Sequence, residues 1–403
     1  MSVLPALAPS SATAAPPELR ARVHGGGPTG ALAALALADA GWCVSLHDPL
    51  EEPALRARSR AYALTHSSRR LLERLGLWQA LEPLLTPFHQ LHLRDLGAAA
   101  GLAYTPLDLP RSGSGSSPGA LGWIAQHGDL MGVLLSHLRA TPAVTVALGE
   151  SPPSPGLQDR ADLVLAADGP ASPTRQALGI RHWRLSYRQA CLTAQVELRG
   201  PGADAAWELL RPEGPFAVLP LGGGRSQVVW SAPARRCAER QALVDTAFLE
   251  LLAGVLPPAL EVDALLDDPR SFPVALELAQ RLHRGRTLLV GESAHRCHPV
   301  GGQGLNLCWR DVAALHRLAL RVRAGRLPLD QLGRLYARGR LPDLLLTLAA
   351  TDLMVRLFSN RSPLLLPLRR LALALLERSR ALRRFSLKVM SDGALAPVSA
   401  PPH

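Results

Sequence analysis

The stretch LVGESAHRCHPVGGQGLNLCWRDV, Leu289 to Val312, decides how the chain is to be read. An apolar strand, Thr287 to Val290, runs into Glu292 and passes His295, His298 and Pro299. It then meets a glycine-rich turn ahead of a helix beginning near Leu305. Gly301, Gly302 and Gly304 carry no Cβ, so the backbone there can approach a flat ligand closely. The helix start aims unpaired N–H groups and its positive dipole end at the same place. Such a helix end suits a ligand edge that carries negative charge. One loop proves little, and its weight depends on partners elsewhere in the chain.

The first partner lies near the N-terminus. Arg22-Val23-His24 is a short strand ending in Gly25-Gly26-Gly27-Pro28-Thr29-Gly30, and Ala31 to Ala40 follows as a strong helix former. Cys43 to His47 alternates as a second strand that ends at Asp48. Gly25, Gly27 and Gly30 have G-x-G-x-x-G spacing. The first glycine makes the tight turn, the second admits a pyrophosphate, and the third lets helix and strand pack closely. Asp48 stands where an acid accepts hydrogen bonds from an adenosine ribose. With strand, helix and acid in register the unit predicts a dinucleotide site. The glycines alone would say only that a strand turns into a helix. A second partner is the apolar strand Asp162 to Ala166, which runs into Asp168-Gly169 with Ser172 and Arg175 behind it.

Elsewhere the patterns alternate between helix and strand. Ser67 is placed to start a helix with Leu71, Leu72, Leu75 and Leu77 on its apolar face, and Leu130 to Leu138 is another amphipathic helix. Arg111 to Gly119 is a Ser/Gly/Pro linker, and Pro152 to Pro155 a loop. Cys191 to Leu198, Phe216 to Leu221 and Gln227 to Ser231 predict antiparallel strands, with Gly222-Gly223-Gly224 as a hairpin turn and not a phosphate loop. Helical pattern returns at Leu243 to Leu256. From about Leu327 the chain is helical and rich in Leu and Arg, with one helix over Asp343 to Phe358 and another over Pro367 to Phe385. In the latter, Leu368, Leu371, Leu375, Leu376 and Leu382 share a face, and Arg369, Arg370, Arg378, Arg380, Arg383 and Arg384 crowd the rest. Two readings stay open: a solvated cap on the globular body, or a basic amphipathic surface that sits on anionic lipid.

With 403 residues, 47% of them apolar, the chain can bury the cores of two or three domains. Lys388 is the only lysine, a bias of composition and not of function. The net charge of +11 is local: between Arg334 and Lys388 twelve Arg or Lys face only Asp343, Asp352 and Glu377. No stacking aromatics accompany these cations, which argues against a nucleic-acid binder. Cys43, Cys191, Cys237, Cys297 and Cys308 are scattered without a C-x-x-C pair, a pattern of reduced thiols in a cytosolic setting. The first twenty residues, rich in Ala, Pro and Ser, lack the apolar core of a signal peptide. No window offers about eighteen uninterrupted apolar residues, so no transmembrane helix is expected. His295 and His298 have no third ligand nearby, so no metal site is expected either.

Together these motifs resemble the class A FAD-dependent aromatic hydroxylases, the group built like para-hydroxybenzoate hydroxylase. Gly25 to Gly30 looks like its ADP-binding motif, and Ala167-Asp168-Gly169 through Arg175 like its DG motif. Gly291 to Asp311 looks like its GD motif, with the continuation H-x-x-x-P-x-x-G-Q-G-x-N. Within the group, the ubiquinone-biosynthesis ring hydroxylases resemble the chain further. They share Arg60-Ala61-Tyr62-Ala63-Leu64, Leu75-Gly76-Leu77-Trp78, Glu213 to Leu221, Val300 to Leu307, and Ala350-Thr351-Asp352 through Leu357-Phe358-Ser359-Asn360. The likeness runs from Val23 to about Met390. It departs from the family pattern at Glu292, where Asp is usual, and at Cys308, where Gly is usual. It also departs at Gln126-His127-Gly128-Asp129, where many relatives have an Arg.

The resemblance implies an α/β fold: a Rossmann-like FAD-binding domain interleaved with an antiparallel-sheet substrate domain, plus C-terminal helices. The expected divisions are a disordered leader over 1–20 and a discontinuous FAD-binding domain over 21–85, 125–185 and 285–325. The substrate domain takes 86–124 and 186–284, and the helical, membrane-associating region 326–392. The resemblance implies that Gly25, Gly27, Gly30 and Asp48 hold the ADP half of FAD and that Arg60 approaches the pyrophosphate. Asp168 and Gly169 serve the pyrophosphate and ribityl region, Gly291 and Glu292 meet the ribityl chain, and Gln126 reaches the cofactor. Pro299 lies against the isoalloxazine ring, and Gly302, Gln303, Gly304, Leu305 and Asn306 cradle its pyrimidine edge. Pro299, Gly302 and Gln303 form the flavin-ring environment, with no protein nucleophile. The implied reaction hydroxylates a polyprenylated phenol in ubiquinone or other prenylquinone synthesis through a flavin C4a-hydroperoxide. Molecular oxygen is its co-substrate, and NAD(P)H or an electron partner its reductant. Two alternatives stay open: hydroxylation of a soluble aromatic compound, and a non-catalytic accessory subunit of a quinone-synthesis complex. The expected location is cytoplasmic, with peripheral contact on an inner or thylakoid-type membrane face.

Overall fold

The computed structural model describes residues 18–109, 119–153 and 161–393. Most of the expected leader, nearly all of the 111–119 linker and the end of the 152–155 loop lie outside the described residues. A six-stranded sheet runs in the order His283–Arg284, Thr287–Leu289, Leu163–Ala166, Arg20–His24, Cys43–Asp48, Val144–Leu148. All its pairings are parallel except the small hairpin at His283–Arg284. Leu163–Ala166 is buried throughout, as strands covered on both faces must be. Helix Pro28–Asp39 starts with Pro28, whose fixed φ suits a first helical position. It packs between this sheet and helix Gln303–Arg323.

A larger, mostly antiparallel sheet is built on the 18-residue strand His182–Arg199. Arg225–Pro233, Phe216–Gly222 and Ala206–Leu210 follow to one side, then Leu91–Asp95, paired parallel, and Ala100–Tyr104. Its register separates two faces. Leu209, Phe216, Trp230 and Leu192 form a row across four strands, and Trp207, Val218, Val228 and Ala194 another. These rows pack under helix Asp245–Ala253 through Phe248 and Leu252. The opposite face carries the row Glu208, Ala217, Val229, Thr193 and looks the other way. A small antiparallel sheet, Ala61–Leu64, Gly122–Gln126 and Thr86–Phe88, lies between the two.

The C-terminal helices differ from the sequence expectation in three ways. The helix expected from Asp343 is a 30-residue helix, Leu329–Phe358, that continues through Pro342. Proline removes one backbone donor. The helix stays whole because Leu332, Tyr336, Leu344 and Leu348 are buried on both sides of it and Arg340 is paired to Asp343 at 2.6 Å. The helix expected over Pro367 to Phe385 is two, Leu366–Arg378 and Arg380–Asp392. The break is Ser379, extended at φ −107° and ψ 106°, whose hydroxyl accepts the Leu382 N–H as an N-cap. Finally, Arg369 is not a surface cation. It is 1% exposed and donates to the carbonyls of Leu357 and Asn360, satisfying the end of the long helix. Of the leucines expected to share a face, Leu368, Leu371 and Leu375 are exposed on Leu366–Arg378, Leu376 packs against the core, and Leu382 is exposed on the following helix, while Leu373 is buried.

Candidate active site

Three turns converge on one cavity of about 720 Å³. Gly25, Gly27, Pro28 and Thr29 follow strand Arg20–His24, and Ala167, Asp168 and Gly169 follow strand Leu163–Ala166. Glu292, Pro299 and Gly301 to Leu305 follow strand Thr287–Leu289. The three strands are parallel neighbours, so their carboxyl ends deliver the turns to one edge, where open α/β sheets bind ligands.

Glycine is required where the turns touch. Gly25 has φ +102°, and a Cβ on it would stand 2.4 Å from the Ala167 carbonyl oxygen. A Cβ on Gly30 would stand 1.9 Å from the Gly25 carbonyl oxygen, whereas one on Gly27 would meet nothing within 4 Å. Gly30 therefore packs the turn, and Gly27 faces open space. Asp48 accepts the N–H groups of Gly26 (2.6 Å) and Leu50 (2.8 Å), holding the turn in shape while it lines the cavity. Asp168 accepts the Thr174 N–H through Oδ2. Its buried Oδ1 has no protein partner among the described residues. An acceptor left so costs about 1–3 kcal/mol unless a ligand donor meets it.

The opening stretch forms the third side. Gly301 (φ 69°) and Gly302 (φ 62°) are both left-handed, and Gly302 caps helix Gln303–Arg323 with no side chain across its end. The first-turn N–H groups thus stay free for a ligand. Gln303 donates to the carbonyl oxygens of Gly301 (3.1 Å) and Met390 (3.0 Å), joining this turn to helix Arg380–Asp392. Beneath it lies a buried charge network. Asp311 accepts from Gly291 N–H (2.9 Å), His295 (2.6 Å) and Arg340 (2.6 Å), and Asp343 joins Arg340 to Arg310. Burial pushes the Asp311 carboxyl up, but the His295 and Arg340 charges outweigh it and hold it well below the usual range.

Of the residues expected from sequence, the cavity gathers Gly25, Gly27, Asp48, Arg60, Asp168, Gly169, Glu292, Pro299, Gly302, Gln303, Gly304 and Leu305. Four others stand behind it. Gly30 and Gly291 pack turn against turn. Gln126 is the N-cap of helix His127–Ala140. The Asn306 side chain is fully engaged, donating to Ala63 and Gly302 and accepting from Thr65 and Ser68. Cys308 is accommodated: its thiol lies beside Gly291 and Thr29, and burial pushes its pKa far up, so it is inert.

Other lining residues gave no sequence signal. Arg58, Glu208 and Gln227 belong to the cavity, as do Leu387, Met390 and Ser391 from the last helix. Burial pushes the Glu208 carboxyl up to about 7, against a hydrogen bond from Gly301 N–H. Burial also pushes His298 down to about 3. That neutral ring accepts the Val300 N–H and shapes the turn. Among the described residues no group of three or more His, Cys, Asp or Glu could hold a metal ion.

A family profile described as FAD binding domain matches residues 18–331. Ubiquinone hydroxylase UbiL of Rhodospirillum rubrum is 34% identical over 396 residues, covering 91% of this chain and 88% of that protein. The 3-demethoxyubiquinol 3-hydroxylase of Escherichia coli is 30% identical over 396 residues, covering 91% of this chain and 96% of its own. Among solved structures, p-nitrophenol 4-monooxygenase PnpA from Pseudomonas putida DLL-E4 superposes with a TM-score of 0.75 at 20% identity. It covers 92% of this chain and 96% of its own, a likeness of fold.

Proposed function

The chain belongs to the FAD-binding domain family, and from that premise we propose that it hydroxylates the ring of a polyprenylated phenol or quinol in ubiquinone synthesis. It is an FAD-dependent aromatic-ring monooxygenase. The observation that carries the reading is the meeting of three turns at one largely apolar cavity, with the Asp168 acceptor unpartnered and a helix start uncapped beside it.

These residues fit the cofactor. Gly27 leaves room for a pyrophosphate, Asp48 stands at the ribose position, and Arg58 and Arg60 supply positive charge. Asp168 and Glu292 would offer acceptors to ribityl hydroxyls, Pro299 a flat apolar contact, and the N–H groups from Gln303 to Leu305 donors to the pyrimidine edge. When bound, FAD supplies oxygen activation and transfer to the ring, with NAD(P)H or an electron-carrying partner as reductant. The chain's own part is to position the ring and exclude water. Leu387 and Met390 help to close the cavity. Purified protein should carry the flavin absorbance bands and convert a prenylated phenol to its hydroxylated product. A colourless protein indifferent to added FAD would overturn the reading. The ring position is best read from the phenol that accumulates when the gene is deleted.

A polyprenylated substrate would bring the protein to a membrane surface and beside other quinone-synthesis enzymes. No described helix is long and apolar enough to cross a membrane. Leu364 (87% exposed), Leu368, Leu371, Leu375, Leu382 and Phe385 instead stand in solvent next to exposed Arg361, Arg378, Arg380 and Arg384. A basic side chain near anionic lipid contributes about 1 kcal/mol. Changing these four arginines to Glu should therefore lower partition onto phosphatidylserine vesicles by more than about 100-fold. Unchanged flotation would return the segment to a solvated cap.

A further inference from the structure

One wall of the cavity is the inner face of the large sheet, and its polar residues are not among those given to the cofactor above. The row Glu208, Ala217, Val229, Thr193 lies beside the row Ala206, Leu219, Gln227, Gln195. Most of these neighbours are small or apolar. Glu208 is 8% exposed, takes one hydrogen bond, from the Gly301 N–H at 3.3 Å, and has no cationic partner among the described residues. Gln227 is 1% exposed, and neither Oε1 nor Nε2 has a partner there. A buried carboxyl without a counter-charge is costly to keep, and so is a buried carboxamide without hydrogen bonds. Both line the same cavity, so the wall is built to meet a polar ligand.

We propose that Glu208 is the catalytic residue that accepts the ring-hydroxyl proton of the bound phenol. The proposal rests on the reading of the protein as a phenol hydroxylase. The phenol O–H bond breaks, and its proton passes to a carboxylate oxygen of Glu208. The electron pair stays on the phenolate oxygen and raises electron density at the ortho and para carbons, where an electrophilic oxygen attacks. The new C–O bond forms as the O–O bond of the oxygen donor breaks, and the ring's C–H proton then passes through water to the donor's departing oxygen as aromaticity returns. Glu208 then gives its proton back to the phenolate oxygen. No electrons change hands at Glu208.

A carboxyl that titrates near neutrality suits this exchange, because both of its forms are then present. The cavity also holds Arg58, Arg60 and Arg296 and the carboxylates of Asp48, Asp168 and Glu292. Burial pushes Tyr62, Tyr104, Cys297 and Cys308 upward, and Cys191 on strand His182–Arg199 as well, away from neutrality. The Gly301 N–H ties Glu208 to the glycine turn at Gly301-Gly302.

The test compares the FAD-loaded wild type with Glu208→Gln and Glu208→Asp, using 2-methoxyphenol and its methyl ether 1,2-dimethoxybenzene as probes of binding. Wild type should prefer the phenol by about tenfold above pH 7.5, as expected of a hydrogen bond to a charged group. That preference should fade below pH 6. Glu208→Gln should bind FAD normally, show a preference that does not change with pH, and form hydroxylated product about 100-fold more slowly. Glu208→Asp should recover part of both effects. A wild type with no preference for the phenol, or a Glu208→Gln protein with the wild-type pH profile, overturns the proposal. A wild type that shows the pH-dependent preference yet yields no product overturns the hydroxylase reading and leaves Glu208 as the phenol acceptor.

Discussion

Asp311→Asn should cost about 1.5–3 kcal/mol of folding stability, because the buried Arg340 guanidinium is then left with Asp343, a carboxylate that Arg310 already shares. The carboxylate is fully buried and engages three donors at once: the Gly291 N–H, His295 and Arg340. Its folded pKa lies below that of the unfolded chain, so its contribution is complete above about pH 4. It is lost as pH falls toward the folded value of about 2. Thermal denaturation at pH 7 should show the loss. Scans from pH 5 down to 2 should show wild type converging on the variant. A variant within about 1 kcal/mol of wild type at pH 7 would mean that the network contributes little.

The second large effect separates packing from ligand contact. Gly30→Ala would force a methyl to 1.9 Å from the Gly25 carbonyl oxygen, so the turn must move. Overpacking of this kind costs about 1–3 kcal/mol. Gly27→Ala meets nothing within 4 Å in the protein and should leave the melting temperature unchanged. If a pyrophosphate passes over Gly27, FAD affinity should fall by about 10–100-fold in both variants, with stability falling only in Gly30→Ala. FAD titration beside differential scanning fluorimetry decides this. Full affinity in Gly27→Ala would remove the pyrophosphate from that turn.

The fold class was legible because the deciding signals are local. Strand, glycine turn, helix and acid sit within a few dozen residues at Val23 to Asp48 and again at Leu289 to Val312. Local backbone chemistry fixes where Gly25, Gly27, Asp48, Glu292 and Pro299 lie relative to their own strands. Parallel pairing then brings those strands together. Glu208 and Gln227 were not legible for the opposite reason. Trp207 and Glu208 point to opposite faces, and nothing within Ala206–Leu210 says which face covers a helix and which a cavity. The tail was misjudged for a third reason. Periodicity places Leu368, Leu371 and Leu375 on one face, but only tertiary contacts reveal that the body is met by Leu373 and Arg369. Ser379, the N-cap that divides this run into two helices, was hidden by helical spacing on both sides.

Helix Arg380–Asp392 also sets the order in which the protein can be assembled. It supplies Leu387, Met390 and Ser391 to the cavity wall, and its carbonyls at Met390 and Ser391 hold Gln303 and Ser67. Synthesis delivers the Gly25 turn first and this helix more than three hundred and fifty residues later. Once Thr287–Leu289 has been made, the parallel sheet can form while the pocket still lacks one side. The pocket therefore becomes a closed compartment as a late event, after the sheets that frame it are in place.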